Sequence, residues 1–245
     1  MKRLWQELDR LLRGRERALG EESLRLTSVG QLVAVVLVLA AVYGFFMGWY
    51  GIFSRTQPEY RAVAACLFKV PALFLLTLLI CFPSLYVFST LLGSRLTFVA
   101  TLKVLLGIVA ITVTVLASFG PIVAFFSVST ENYPFMKLLN VAFFAVAGAL
   151  GVGALLKALR FLLAPAADPG APPPVIGQAG EPSASAQQIR RVFRIWVVTY
   201  MLVGAQMGWV LRPFLGDPHQ PFTWFRVRQA NFFMDVWHTV VKLFT

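Results

Sequence analysis

Five long stretches of the chain contain no charged residue. Each is long enough, or nearly so, to cross a hydrocarbon core of roughly 30 Å as a helix of about 20 residues. The uncharged stretches are Leu26–Ser54, Val70–Ser94, Val104–Thr130, Leu138–Leu156 and Ile195–Leu211. A soluble protein of this size does not separate its charges in this way, because its helices carry a charged face along most of their length. The sequence therefore predicts an integral membrane protein.

The composition supports the same class. The chain has 245 residues, of which 58% are hydrophobic and 13% charged. Its net charge of +11 would suggest nucleic-acid binding in a soluble protein. In a membrane protein, Lys and Arg flank the spans, where they set the topology and contact anionic lipid headgroups. We therefore expect anionic membrane lipids as partners and no nucleic acid.

The predicted fold is all-α: a polytopic bundle of five transmembrane helices with N- and C-terminal interfacial amphipathic helices. A segment within Pro165–Pro182 holds six prolines and cannot bury a core. The predicted organisation is a cytoplasmic amphipathic segment at 1–27, a four-helix transmembrane region at 28–163, a Pro- and Ala-rich flexible linker at 164–189, a fifth transmembrane helix at 190–213 and an outer-face tail with an interfacial helix at 214–245.

Two segments have the pattern of helices that lie along a membrane surface. Leucines recur at helical spacing near the N-terminus, although the acidic residues there leave docking on a partner as an alternative. Near the C-terminus, aromatic and aliphatic residues of 232–244 share one face, and polar residues share the other. Aromatic side chains favour the headgroup level. The predicted interfacial anchors are Trp5, Trp49, Phe233 and Trp237.

The pair Gly120–Pro121 interrupts the third apolar stretch. This break predicts either a kinked span or a short helix that folds back along the interface.

Glycines recur at helical spacing in the first and fourth spans, where they let helices approach closely. This close approach could lie within one chain or against a partner helix. The predicted helix-packing glycines are Gly44, Gly48, Gly148 and Gly151.

The distribution of Lys and Arg predicts the orientation. With the N-terminus inside, the inner segments hold 14 of these residues and the outer segments hold 8. The positive-inside rule then favours a cytoplasmic N-terminus and a C-terminus on the outer face.

No common catalytic pattern is present in the sequence. It contains no G-x-S-x-G elbow, no Walker loop and no H-E-x-x-H motif. Its acidic residues do not fall deep within a predicted span, which argues against a proton relay. Cys66 and Cys81 lie 15 residues apart on one predicted helix, too far to form a disulfide. We therefore expect no catalytic residue, no cofactor and no metal site.

Polar residues cluster on the predicted outer side. An ion pair of Glu131 with either Arg212 or Lys69 would join the helices of the bundle there. Structural fixing of loops and a ligand or partner site are both open interpretations. The candidate polar cluster comprises Lys69, Glu131, Asn132, Lys137, Gln206 and Arg212.

Three stretches carry a resemblance to a known family: FPSLYVFSTLLGSRL at 82–96, SVSTENYPFMKLLNVAFF at 127–144 and VGAQMGWVLRPFLGDP at 203–218. Together they resemble an uncharacterised family of bacterial five-span inner-membrane proteins, some of which carry an automatic label for an actin-binding WH2 motif. The layout is also similar to that of Yip1-like membrane proteins. The resemblance implies a fold and a bacterial inner-membrane location, but no activity. The basic stretch of a WH2 segment does not follow the N-terminal helix here.

The leading hypothesis is a non-enzymatic membrane subunit or scaffold that packs with other membrane proteins, or with its own copies, or organises the bilayer. The alternative is an oligomeric channel or transporter for small anions, with Lys69, Lys103, Glu131, Gln206 and Arg212 along the path. A lipid-modifying enzyme is disfavoured, because no nucleophile and base fall within reach of each other.

Overall fold

The computed structural model describes residues 28–54, 59–91, 97–162, 184–215, 223–225 and 231–244. These residues form eight helices and no strand, as the predicted all-α class requires. The helices are α1 Val29–Gly48, α2 Tyr50–Phe53, α3 Tyr60–Leu91, α4 Phe98–Ser118, α5 Gly120–Ser129, α6 Tyr133–Leu162, α7 Ala184–Val210 and α8 Phe232–Phe244. The predicted N-terminal interfacial helix, including Trp5, and most of the predicted linker lie outside the described residues.

Four helical segments are long and apolar enough to cross a membrane, which is consistent with an integral membrane protein. They are Val29–Phe53, Tyr60–Val87, Phe98–Ser129 and Tyr133–Ala154. The predicted fifth span lies on α7, but the apolar part of α7 among the described residues, Ile195–Val210, is shorter than these four. Helix α7 begins at Ala184, inside the segment predicted as a flexible linker, so the last part of that segment is helical.

Local sequence signals fix the start of two spans. Helix α1 begins with a capping box, in which Ser28 Oγ accepts from the Gln31 amide and the Gln31 side chain accepts from the Ser28 amide. Thr97 caps α4 by accepting from the Ala100 amide. Both caps satisfy amides that a helix leaves unpaired at its first turn.

The break at Gly120–Pro121 produces a kink between α4 and α5. Helix α4 ends at Ser118 and α5 begins at Gly120. Phe119 between them keeps helical backbone angles, φ −80° and ψ −10°, and the two helices form one continuous apolar run. Proline at the start of α5 costs no hydrogen bond there, because the first amides of a helix are unpaired in any case. The kinked span is therefore the alternative that the structure adopts.

The helices are arranged as an arc with α1 at its centre. Helix α1 packs against α3 on one side and α4 on the other. Helix α7 then packs on α3, and α6 packs on α4, so α6 and α7 form the two ends of the arc. Helix α8 contacts both α6 and α7. This order leaves a space between α6 and α7 that α8 partly covers.

Two buried tyrosines connect α1 and α2 to the start of α6. Tyr43 donates to Asn140 Oδ1 over 2.7 Å, and Tyr50 donates to the Glu131 carbonyl over 2.9 Å. Both rings are fully buried. A buried phenol needs such a partner, because an unpaired hydroxyl in an apolar interior is costly. The outer surface of the bundle is apolar, with Val38, Phe68, Leu79, Phe125 and Leu150 each more than half exposed.

Candidate functional site

A cleft of about 1220 Å³ lies between α6 and α7. Its floor is formed by α3 and α4, and α8 borders one end. The cleft is partly open to the outside and exceeds the range of about 300–1,000 Å³ that is usual for small-molecule pockets. The space exists because α6 and α7 each pack on a different inner helix.

The interior of the cleft is apolar. Two threonines line it, but their hydroxyls are paired within their own helices: Thr77 with the Leu73 carbonyl at 2.7 Å, and Thr112 with the Ile108 carbonyl at 3.0 Å. The interior therefore offers mainly hydrocarbon surface. Its apolar lining includes Leu73, Phe74, Leu105, Ile108, Val109, Val141, Phe144, Ala145, Val152, Met201 and Ala205.

The end of the cleft near α8 is polar and carries both signs of charge. Lys137 on α6 forms an ion pair with Asp235 on α8, and both side chains are about one quarter exposed. This pair connects α8 to the second turn of α6. The polar lining at this end comprises Glu131, Asn132, Lys137, Asn140, Arg212, Asp235, His238, Thr239 and Lys242.

Arg212 stacks on Trp209 at this polar end. The guanidinium carbon Cζ lies 3.4 Å from the centroid of the indole ring, a close cation–π contact. Trp209 is 6% exposed, and its Nε1 donor has no hydrogen-bond partner among the described residues. Both side chains line the cleft. A buried donor without an acceptor is unusual in a folded protein.

The segment that follows α7 is held on α3. Lys69 is 4% exposed and donates to the Pro213 carbonyl over 2.9 Å and to the Trp224 carbonyl. Its ammonium also lies 5.1 Å from the centre of the Phe225 ring. Cys66, one turn earlier, donates to the Phe214 carbonyl over 2.8 Å. These contacts fix the position of the residues next to Arg212.

Part of the predicted polar cluster comes together at the cleft. Glu131, Asn132, Lys137 and Arg212 line it, whereas Lys69 and Gln206 are not among its lining residues. Of the two alternative partners for Glu131, Lys69 donates instead to the Pro213 and Trp224 carbonyls. The ion pair found at this end joins Lys137 to Asp235.

The sequence pattern contained a signal for the missed residues. The helical periodicity of 232–244 places Asp235, His238, Thr239 and Lys242 on one polar face, and these four residues line the cleft. The opposite face of α8 is exposed, with Phe233 at 53% and Trp237 at 65%.

Trp49, another predicted anchor, packs edge-on against the rings of Phe45 and Phe53.

The predicted packing glycines have different surroundings. A Cβ added to Gly44 would lie 2.5 Å from the Cys66 carbonyl oxygen, and one added to Gly48 would lie 2.6 Å from Val63 Cα. These two glycines therefore serve the contact of α1 with α3 within the chain, and a partner helix cannot occupy the same face. A Cβ at Gly151 would collide with the Thr112 side chain of α4. Gly148 lines the cleft, and an added Cβ there meets nothing within 4 Å.

Metal binding and known relatives give no further assignment. Among the residues that the structure describes, no group of three or more His, Cys, Asp or Glu side chains is placed to hold a metal ion. The chain matches no protein-family model, no curated protein and no solved structure. The resemblance to bacterial five-span proteins therefore stays a prediction.

Proposed function

We propose that the protein is a non-enzymatic integral membrane subunit or scaffold that holds another membrane component in the cleft between α6 and α7. The observation that carries this proposal is the cleft itself. It is preformed, apolar along its interior and bordered by α6, which is long enough to span a bilayer. Lateral apolar space of this kind in a membrane is filled either by lipid or by a helix of another protein.

In this proposal α7 is the fifth span. The helix has 27 residues, which corresponds to about 40 Å at 1.5 Å per residue and exceeds a hydrocarbon core of roughly 30 Å. Arg190, Arg191 and Arg194 precede its apolar part, and Arg212 follows it. Basic residues near the ends of a span reach the headgroups with their long side chains. The bias of Lys and Arg supports a cytoplasmic N-terminus and a periplasmic C-terminus in a bacterial inner membrane.

Helix α8 lies at the outer interface in the same proposal. Its polar face borders the cleft, while Phe233, Met234 and Trp237 on the other side are each more than half exposed. A soluble protein would turn this apolar face inward. Exposed aromatic residues on an amphipathic helix are typical of insertion at the headgroup level. The arrangement supports a helix that rests on the membrane and closes one end of the cleft.

The contacts of the polar groups support binding rather than chemistry. Lys137 is paired with Asp235, and Asn140 accepts from Tyr43. These side chains hold helices together. The anion-channel alternative has less support, because Lys69, Lys103 and Gln206 are not among the residues that line the described cleft. A path through the chain would need these residues to face one common space.

The test is the composition of the purified particle. The tagged full chain is extracted from native membranes in mild detergent, and all protein and lipid constituents are identified by mass spectrometry. A stoichiometric constituent is expected, and Gly148→Trp should remove it by filling the cleft. The matched control is Gly153→Trp, because Gly153 is also open to added atoms but is not a lining residue. A bare protein, or equal loss in both variants, would contradict the proposal.

A further inference from the structure

We propose that the occupant of the cleft is a membrane lipid with an anionic, phosphate-bearing headgroup. Its acyl chains would lie along the apolar interior, and its headgroup would lie at the polar end beside Arg212 and Trp209. This inference rests on the membrane function proposed above and names the component that the cleft holds.

The cleft has the length and polarity gradient of a lipid. Lys137 and Val152 both line it and lie on the same helix, which corresponds to about 22 Å along the axis at 1.5 Å per residue. The hydrocarbon depth of one leaflet is half of a core of roughly 30 Å. The distance along α6 is greater than that depth. Polar groups lie at the end near α8, and apolar side chains follow along α6. A lipid with its headgroup at the interface has the same order.

The polar end carries groups suited to a phosphate. The Arg212 guanidinium, a planar fork of N–H donors, is held over the Trp209 ring, with Cζ 3.4 Å from the ring centroid. Such forks bind phosphate oxygens with two parallel hydrogen bonds. The segment that carries Arg212 is itself fixed, because Lys69 holds the Pro213 carbonyl next to it. A positioned guanidinium loses less freedom when it binds an anion.

The unpaired indole donor independently indicates a ligand. Trp209 is 6% exposed and lines the cleft, yet its Nε1 has no acceptor among the described residues. Buried donors in native structures nearly always have a partner, and an exception needs an explanation. An oxygen atom of a headgroup in the cleft would supply the acceptor. A purely apolar occupant would leave this donor unpaired.

The charge balance at the polar end favours an anion. Three cationic side chains line it, and they are Lys137, Arg212 and Lys242. Two carboxylates lie there as well: Asp235 is paired with Lys137, and Glu131 is exposed to solvent. Among the described residues that line this end, three cationic side chains therefore accompany two carboxylates. The excess is positive, which favours an anionic headgroup over a zwitterionic one.

A helix from a partner protein fits less well. A transmembrane helix pairs its backbone groups internally, so its middle turns would not supply an acceptor for Trp209 Nε1. Acyl chains are thinner and adapt to an irregular apolar space.

The experiment is native mass spectrometry of the full chain in mixed micelles that contain equal amounts of phosphatidylglycerol and phosphatidylcholine. We expect one phosphatidylglycerol to be retained per chain. Arg212→Gln should reduce the retained fraction about tenfold, as loss of a charge-assisted bond predicts, and Arg212→Lys should restore part of it. Trp209→Phe keeps an aromatic ring but removes the donor, so it should also lower retention. The control Arg61→Gln changes an exposed cation on α3 and should have no effect.

Two results would overturn the inference. One is equal retention of the two lipids by the wild-type chain, and the other is an equal loss of lipid in Arg61→Gln and Arg212→Gln. Gly148→Trp provides a second route that leaves the charges intact: it should abolish retention, whereas Gly153→Trp should not. A stoichiometric protein partner with no retained lipid would reject this inference and leave the proposed scaffold function standing, so the two failures are distinguishable.

Discussion

The ammonium group of Lys69 donates a hydrogen bond of 2.9 Å to the carbonyl of Pro213, a residue 144 positions later in the sequence. Lys69 is 4% exposed and serves as a link between α3 and the segment that follows α7. The same segment contains Arg212, so this link positions the polar end of the cleft. A lysine that looks like a topological signal in the sequence is thus a structural residue.

Replacing Lys69 with Met should destabilise the protein. The substitution keeps a long side chain but removes the donor to Pro213, and a hydrogen bond to a charged group contributes about 1.5–3 kcal/mol. Thermal unfolding in nanodiscs measures the change. Arg61→Met is the control, because Arg61 lies on the same helix and is exposed. Equal melting temperatures for the two variants would contradict the role assigned to Lys69.

Removing the hydroxyl of Tyr43 should weaken the contact of α1 with α6. Tyr43→Phe leaves Asn140 Oδ1 without its 2.7 Å donor in a buried position. Hydrogen bonds between helices in membranes average about 0.6 kcal/mol, with a maximum of about 1.7 kcal/mol, and we expect a loss within this range. Denaturation in mixed micelles provides the measurement. Tyr60→Phe, at a site 71% exposed, should leave the stability unchanged, and a loss there as large as in Tyr43→Phe would count against the assignment.

Enlarging Gly44 should separate α1 from α3. The added methyl group of Gly44→Ala would lie 2.5 Å from the Cys66 carbonyl oxygen, which belongs to the rigid backbone of the facing helix. Overpacking of this kind typically costs about 1–3 kcal/mol. Gly153→Ala is the matched control, since its methyl group meets nothing within 4 Å, and it should be neutral or gain up to about 1 kcal/mol from helix propensity. Equal effects at both sites would refute the close approach.

Reversing the charges of the Lys137–Asp235 pair should reveal its coupling. Lys137→Asp and Asp235→Lys each place like charges opposite one another, and the double variant restores an opposite-charge pair. Because both side chains are about one quarter exposed, solvent screening limits the coupling to about 0.5–1 kcal/mol. A double-mutant cycle on thermal unfolding measures it. As a control, the cycle that combines Asp235→Lys with Arg61→Asp should give a coupling energy of zero. A coupling energy of zero in the cycle of Lys137 with Asp235 would contradict the link between α6 and α8.

The spans could be predicted from the sequence because they depend on local composition. Uncharged runs of sufficient length identify the four candidate spans. The helical periodicity of apolar and polar residues identifies α8. Helix α7 begins at Ala184, before the predicted end of the linker, since Pro and Ala content marks the centre of a linker better than its end. Glycine spacing predicts close helix contacts but does not specify the partner, and the structure places Gly44 and Gly48 against α3 of the same chain.

The cleft could not be predicted, because it depends on the order in which the helices pack. Nothing local to α6 or α7 specifies that each packs on a different inner helix. The partner of Lys137 also lies nearly one hundred residues away, on α8. Grouping the polar residues by predicted side of the membrane found four cleft residues, yet it placed Lys69 and Gln206 with them, since depth in the bilayer does not specify which way a side chain faces.

Photocrosslinking from position 201 tests most directly whether the cleft holds one defined component. A diazirine analogue of methionine replaces Met201 in the full chain, and a second variant carries it at Leu202; the two positions are 49% and 48% exposed, and only Met201 lines the cleft. After illumination of native membranes, intact mass spectrometry identifies the adducts. The account predicts one dominant adduct from position 201 and a mixture of membrane components from position 202. The same mixture from both positions would contradict it.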